Sequence, residues 1–489
     1  MSKKFMNYID GKWCDAKTGE RFENRNPARW KDIIGTFPRS SKEDIDRAAE
    51  SAWLAFQTWS KKPAPARGAI LKKAGDLLVA RKEEIAKHMT REMGKVLTET
   101  KGDVQEAIDT AYYAATYTRQ LFTYTVPSEL PQKFATTVRR PVGVAAVITP
   151  WNFPLAVPSW KIFPALACGN TVIWKPAQDT PHTANLFVEI LVEAGLPENA
   201  IQLVHGFGSE LGESLITHPR VHLISFTGST EVGRFITKVS GTKKISLEMG
   251  GKNAVIVTES ASLDLAIEGI LWGAYGTSGQ RCTATSRAIV HESIRERLLS
   301  VLVNEMKKLK VGDGLEKNVH VGPLINEDQF KKVQSYIEIG KNEGARILAG
   351  GVGDHHEGWF FAPTLFDDVK PSMRIAREEI FGPVLSVLTY KDFSQALSLA
   401  NDSLYGLSSA VYTNNINEAF LAIEKIDSGI TYINAPTIGA EAHLPFGGVK
   451  ETGNGHREGG WAVYDFFSEV KTVYVDYSGK LQRAQIDNY

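Results

Sequence analysis

Between residues 41 and 125 apolar positions recur three and four apart. Behind Ser41 the stripe runs Ile45, Ala48, Ala49, Ala52 and Phe56, with Glu43 and Asp44 in the first turn, so the pattern predicts a helix capped by Ser41. Two more helices are predicted over 63–92 and 99–124, and their Lys, Arg and Glu faces read as solvated surface and not as a binding site. Ahead of them, residues 8–40 set short apolar pieces between Gly-Lys-Trp and Thr-Gly-Glu punctuation, which predicts a hairpin or loop region. Residues 126–141 are polar, with Pro127, Pro131 and the pair Arg139-Arg140, and read as a linker or a protruding arm.

From residue 141 to 253 the rhythm changes to short β-branched runs alternating with helical segments. Strands are predicted over 142–149, 171–175, 201–204, 221–226 and 245–247. One intervening helix is fully punctuated. Thr180 caps it, Pro181 takes the first turn, Ala184, Phe187, Val188, Leu191 and Val192 make one stripe, and Gly195 ends it. This alternation predicts a parallel sheet covered on both faces. Such sheets bind ligands at the carboxyl ends of their strands, dinucleotides most often.

Those ends carry Thr149-Pro150-Trp151-Asn152-Phe153-Pro154, then Trp174-Lys175-Pro176-Ala177-Gln178, then Gly206 to Gly212, then Phe226-Thr227-Gly228-Ser229. The last two are glycine-rich turns opening helices, where backbone N–H groups can meet a pyrophosphate or simply close a loop; neither has G-x-G-x-x-G spacing. The stretch 254–450 again mixes strands (287–290, 385–390, 409–412, 430–434) with helices near 293–309, 327–343, 393–403 and 415–427. The fold class is therefore α/β, with a Rossmann-like cofactor domain and a second α/β domain.

At 489 residues the chain is too long for one core, and two or three domains are expected. Lys+Arg and Asp+Glu are both 56, so no net charge draws the surface to nucleic acid or to a membrane. The amino terminus lacks the apolar run of a secretory signal, and no stretch of 18 apolar residues occurs, which excludes a spanning helix. Three cysteines, at 14, 168 and 282, have no metal-like spacing and suit free thiols in a reducing cytoplasm, with no metal expected.

Cys282 follows Gly276-Thr277-Ser278-Gly279-Gln280-Arg281. Two readings stand: an exposed bend where Arg281 lowers the thiol pKa and makes a nucleophile, or a small buried residue in a tight turn. Leu247-Glu248-Met249-Gly250-Gly251-Lys252 lies upstream, and Trp151-Asn152-Phe153-Pro154, Glu378-Glu379-Ile380-Phe381-Gly382-Pro383 and Pro445-Phe446-Gly447-Gly448 complete an ordered set. With Gly279-Gln280-Arg281-Cys282, this set resembles the aldehyde dehydrogenase superfamily over residues 8–476.

The resemblance implies an oxidoreductase taking a small aldehyde to its acid. Cys282 would be the nucleophile, Asn152 an oxyanion donor with the Cys282 N–H, Glu248 the base for thioester hydrolysis, and Glu458 a proton-relay carboxylate. NAD would be the cofactor. Lys175 is expected at the adenosine ribose, Ser229 at the pyrophosphate, Glu379 at the nicotinamide ribose and Phe381 beside the nicotinamide. Pro150, Trp151, Ala177, Gln178, Gly208, Gly212, Phe226 and Gly228 complete the expected cofactor contacts. Gln178 stands where strictly NAD-dependent relatives often have Glu, so NADP is expected to be tolerated.

Gly439-Ala440-Glu441 resembles the loop whose amides hold a distal carboxylate in semialdehyde-oxidising branches, although His443 and Leu444 match neither branch. The Gln280-Arg281-Cys282-Thr283 context is similar to α-ketoglutaric and α-aminoadipic semialdehyde dehydrogenases, which adds Arg281, Thr283 and Phe446 to the expected substrate contacts. The alternatives are a broad-specificity aldehyde dehydrogenase, a CoA-acylating relative or a non-catalytic nucleotide-binding one. The expected domains are 1–122 with 142–250 for the dinucleotide, 251–452 for catalysis, and 123–141 with 453–489 as a small β oligomerisation arm of a homodimer or homotetramer.

Overall fold

The structure is a computed structural model that describes residues 3–487. The amino-terminal region forms two hairpins, β1 (Asn7–Ile9) with β2 (Lys12–Cys14) and β3 (Arg21–Asn26) with β4 (Arg29–Pro38). Helix α1 (Lys42–Trp59) is capped by Asp44, whose carboxylate accepts the Ser41 N–H at 3.0 Å. Ser41 is the N-cap residue, as expected, in a capping box with Asp44.

The span predicted as one helix over 63–92 is two, α2 (Ala64–Ala80) and α3 (Lys82–Met93), because Arg81 leaves helical geometry at φ −103° and ψ 10°. Helix α4 (Leu97–Tyr117) stops earlier than expected, and the chain turns into an arm. That arm is a three-stranded sheet in which β6 (Lys133–Pro141) lies between β5 (Thr125–Pro127) and the carboxy-terminal strand Ser468–Asp476. Residues 126–141 are thus the protruding arm and not a linker.

The first large sheet holds β7 (Val144–Ile148), β8 (Thr171–Lys175), β9 (Ile201–Leu203), β10 (Val221–Thr227) and β11 (Lys244–Glu248). Its order is β11-β10-β7-β8-β9-β1-β2, parallel from β11 to β9. Alternate side chains enter two cores: Ala145, Val147, Val172 and Trp174 face one, Val144, Ala146 and Ile173 the other. Burial on both faces is why these strands read as unbroken apolar runs.

Helix α5 (Ala156–Cys168) follows β7, and α6 (Pro181–Glu193) follows β8. Thr180 makes no side-chain cap for α6. Instead Glu92 of α3 accepts the His182 and Thr183 N–H groups at 2.6 and 2.9 Å, a cap supplied from another helix. Helices α7 (Gly208–Thr217) and α8 (Thr230–Val239) open on the two glycine-rich turns.

The second large sheet contains β12 (Asn253–Val257), β13 (Thr285–His291), β14 (Arg346–Ala349), β15 (Thr364–Asp367), β16 (Val384–Tyr390), β17 (Ser408–Tyr412) and β18 (Ile430–Ile433). It runs β14-β15-β16-β13-β12-β17-β18, with only β14 antiparallel. β12 at its centre carries no period to betray it. The architecture is α/β: a Rossmann-like sheet, a second parallel sheet, and the small β arm closed by β19 (Ser468–Asp476). Among the described residues no helix is long and apolar enough to cross a membrane.

Candidate active site

Helix α9 (Leu263–Tyr275) ends on a turn, Gly276–Gly279, in which Thr277 (φ 52°), Ser278 (φ 55°) and Gly279 (φ 68°) are successively left-handed. A Cβ on Gly279 would fall 2.1 Å from the Gly382 carbonyl oxygen, so only glycine fits there. The strained turn is tied down on every side. Glu99 accepts the Thr277 N–H at 2.8 Å, Ser278 donates to the Gly322 carbonyl at 2.7 Å, and the Gln280 side chain accepts the Ile325 N–H at 3.0 Å. Asn253 donates to the carbonyls of Cys282 and Ala284 at 2.8 and 2.9 Å, which fixes the backbone on either side of the sulfur.

Cys282 is half-buried and lines a cavity of about 620 Å³ between the two sheets. Burial pushes its thiol up to about 12, with Glu379, Glu248 and Glu458 adding to the effect and the Thr283 amide opposing it. The expectation that Arg281 lowers this pKa is not met. Its guanidinium is directed away, to Glu99 at 3.0 Å and Thr277 at 2.9 Å, and lies 5.3 Å from the Phe153 ring centroid. The local sequence makes Arg281 a neighbour of Cys282, but the turn sends the two side chains apart.

Asn152 follows β7 and is buried, its side-chain amide donating to the Gln280 carbonyl at 3.0 Å. Glu248 ends β11. Among the described residues neither of its buried carboxylate oxygens has a hydrogen-bond partner within normal geometry, although the Gly448 amide lies near enough to oppose the rise in its pKa. A Cβ on Gly447 (φ 146°) would meet Glu248 Oε1 at 2.3 Å, so the carboxylate sits against bare backbone. Burial first, then the charge of Glu458, raises the Glu248 pKa well above the ordinary carboxylate value, against Lys161 and Arg457. Glu458 is held by a buried ion pair to Lys161 of α5 and by the Thr227 hydroxyl at 3.4 Å. Its backbone bridges to Phe446 at 2.6 and 2.7 Å.

One cavity therefore collects all four expected catalytic residues, Cys282, Glu248, Asn152 and Glu458. It also collects Pro150, Trp151, Gly228, Ser229, Glu379 and Phe381 of the expected cofactor set. Arg281, Thr283, Gly439, Ala440 and Phe446 of the expected substrate set line it as well. Ser229 is at the same time the cap of α8, accepting the Val232 N–H at 3.3 Å. Glu379 accepts the Gly251 N–H at 2.9 Å. Phe381 is left-handed (φ 60°) and meets Trp151 edge to face at 5.4 Å, while Gln329 donates to the Ile380 and Phe381 carbonyls at 3.0 and 2.8 Å and holds that turn.

Lys175, Ala177, Gln178, Gly208, Gly212 and Phe226 are not among the residues lining this cavity. They lie at or beyond the carboxyl ends of neighbouring strands. Lys175 ends β8, buried, with burial drawing its pKa down to about 8 and Asp179 opposing. Its Nζ would lie 3.7 Å from a Cβ on Gly208, so the lysine and the start of α7 face each other. Gly212 has open space around it, and the Phe226 ring lies 2.5 Å from where a Gly228 Cβ would be. These residues fit an extended dinucleotide: a buried cation, two helix amino termini free of Cβ crowding, and a carboxylate in the cavity.

One wall of the cavity was missed in the sequence. Thr98, Glu99, Gly102, Asp103 and Glu106, read there as solvated helix surface, line the cavity from α4. Their spacing puts them on one helical face, a pattern visible in the sequence but indistinguishable from solvated charge until a partner is known. Lys161 was missed because a lysine inside an apolar helix signals nothing until Glu458 arrives from 297 residues away.

The aldehyde dehydrogenase family profile matches residues 13–473. α-Ketoglutaric semialdehyde dehydrogenase of Bacillus subtilis (strain 168) is 42% identical over 477 residues, covering 96% of this chain and 98% of the relative. 2,5-Dioxopentanoate dehydrogenase of Saccharolobus solfataricus is 41% identical over 477 residues, with 96% and 99% covered. Among solved structures, an NAD-dependent aldehyde dehydrogenase from Sinorhizobium meliloti superposes with a TM-score of 0.96 at 36% identity, over 99% of this chain and 97% of that one. Betaine aldehyde dehydrogenase from Staphylococcus aureus in complex with NAD+ gives 0.95 at 35% identity, over 97% and 95%.

Proposed function

Because the chain belongs to the aldehyde dehydrogenase family, we propose that it oxidises a carboxylate-bearing semialdehyde to the corresponding acid through a thioester on Cys282. The observation that carries this reading is Glu248: a buried carboxylate with both oxygens unpartnered, in one cavity with Cys282 and Asn152. An orphaned buried carboxylate costs stability and is retained where it handles protons.

The Cys282 sulfur attacks the aldehyde carbon as its thiol proton passes to the ionised Glu248 and on through Glu458 to solvent, which frees Glu248 for the later step. The developing oxyanion is received by the Asn152 amide, which leaves the Gln280 carbonyl, and by the Cys282 N–H. NAD(P), when bound, supplies the acceptor for the hydride that leaves this carbon. Lys175, Ser229 and Glu379 would hold it, with Phe381 and Trp151 walling its reactive end. Glu248 then deprotonates the water that hydrolyses the thioester, and Glu458 with Lys161 passes the proton on. Gln178 in place of a carboxylate removes a repulsion against a ribose 2′-phosphate, so NAD is used and NADP tolerated.

The semialdehyde class is supported by the Gly439-Ala440 loop in the cavity and by relatives whose names carry α-ketoglutaric semialdehyde and 2,5-dioxopentanoate. A panel of C5 and C6 semialdehydes against unsubstituted aldehydes of equal length, read as NADH formation, tests it; equal kcat/KM for both classes defeats it. Omitting and adding coenzyme A separates hydrolysis from acyl transfer.

The enzyme is further proposed to act in the cytoplasm as a homodimer or homotetramer, with the domain division 1–122 plus 142–250, 251–452, and 123–141 plus 453–489. The arm supports this, since β19 is an edge strand exposing Val470 and Tyr474, and such edges are completed by a second sheet. A monomer in sedimentation equilibrium would refute it.

A further inference from the structure

We propose that Glu106, carrying its proton, selects the substrate's distal carboxylate by donating its carboxyl O–H to one of that group's oxygens. This rests on the semialdehyde reading above and adds the residue that recognises the end group.

Glu106 lines the cavity from α4, and its Oε1 is buried without a hydrogen-bond partner. The other acidic side chains on that wall are engaged. Asp103 takes Lys95 at 2.7 Å and the Ala156 N–H at 2.7 Å, and Glu99 takes Thr277 and Arg281. On this wall Glu106 alone keeps a buried carboxyl oxygen unpartnered. It also stands at the expected carboxylate end of the cavity. Tyr432 of β18 donates to the Gly439 carbonyl at 3.1 Å, and Glu106, Tyr432, Gly439 and Ala440 line the same cavity, with Glu106 near enough for its charge to act on the tyrosine.

The charged groups around Glu106 come from five elements. Asp103 and Asp109 belong to α4 itself, Lys95 to the turn before it and Arg281 to the cysteine loop, while Tyr432 and Glu441 close the far side. Burial, then Asp103, raises the Glu106 pKa to about 8, against Lys95 and Arg281. An acid in that state donates at neutral pH. A substrate carboxylate brought against it shares the proton, since two carboxylates at close range cannot both ionise, and one negative charge remains for the loop amides. An ionised Glu106 would instead repel the same end group.

The test is the ratio of kcat/KM for a C5 semialdehyde bearing a terminal carboxylate to that for pentanal, measured from pH 6 to 10. The ratio cancels titrations common to both substrates, including those of Cys282 and Glu248. In the unmodified enzyme it should exceed one and fall above about pH 8 as Glu106 ionises. Glu106→Gln, which keeps an N–H donor and cannot ionise, should remove the fall, and Glu106→Leu should lower the ratio at pH 7 by about ten- to a hundredfold. A ratio above one that Glu106→Leu leaves unchanged or raises overturns the inference and leaves the substrate class standing. A ratio at or below one throughout removes the substrate class, and the inference with it.

Discussion

Glu99, in the first turn of α4, accepts the backbone N–H of Thr277 with both carboxylate oxygens, at 2.8 and 3.0 Å, and also pairs with Arg281 at 3.0 Å. A helix from the amino-terminal half thus holds the left-handed turn that aims Cys282. Replacing it, Glu99→Ala, leaves the Thr277 N–H and the Arg281 cation unsatisfied and should cost about 1–3 kcal/mol of stability. Because the sulfur itself is untouched, kcat should fall roughly tenfold or more while bound substrate still saturates. Denaturant melts with steady-state kinetics check both; an unchanged kcat would show that the turn holds itself.

With its pKa pushed up to about 12, the Cys282 thiol is neutral at pH 7 in the free enzyme. Alkylation by iodoacetamide should therefore climb about tenfold per pH unit between 7 and 9, without levelling off. Glu379→Gln removes one of the charges that raise it and should speed alkylation at fixed pH. A plateau below pH 8 would contradict the assignment.

Glu248 titrates well above 4.5, and its neutral form is the one the fold favours. Its contribution to stability is therefore complete below the unfolded value and is lost as pH rises through the folded one. Activity follows the opposite course, since the base appears only on ionisation. Glu248→Gln should flatten both profiles, lower turnover by about 10²–10⁴, and leave a burst of one equivalent of NADH per site as the thioester accumulates. Absence of a burst would place the slow step before the thioester.

Lys161 and Glu458 form an ion pair that is buried on both sides. Lys161→Met strands the carboxylate and should destabilise by about 3–5 kcal/mol, whereas Lys161→Met combined with Glu458→Leu should recover much of that loss. Urea unfolding of the four proteins in this cycle measures the coupling.

Gln178→Glu adds a carboxylate beside the proposed ribose site and should shift the NAD-to-NADP preference by about tenfold or more toward NAD. Calorimetric titration of each dinucleotide, without substrate, reads it directly.

Local pattern alone determined most of the helices, all five strands predicted between 142 and 247, the glycine turns and the ordered motifs that bring Cys282, Glu248 and Asn152 into one family. Periodicity and turn chemistry act over a few residues, and such signals survive without a fold. Three-dimensional packing decided what each charge does. Arg281 adjoins Cys282 in sequence yet serves Glu99; α6 is capped by Glu92 of another helix and not by Thr180; Lys161 finds Glu458 only from 297 residues away. It also decided that one face of α4 is a cavity wall and that burial leaves Glu248 without partners. Desolvation and ion pairing depend on what is brought within a few ångströms from hundreds of residues away, and no local pattern of residues encodes that distance.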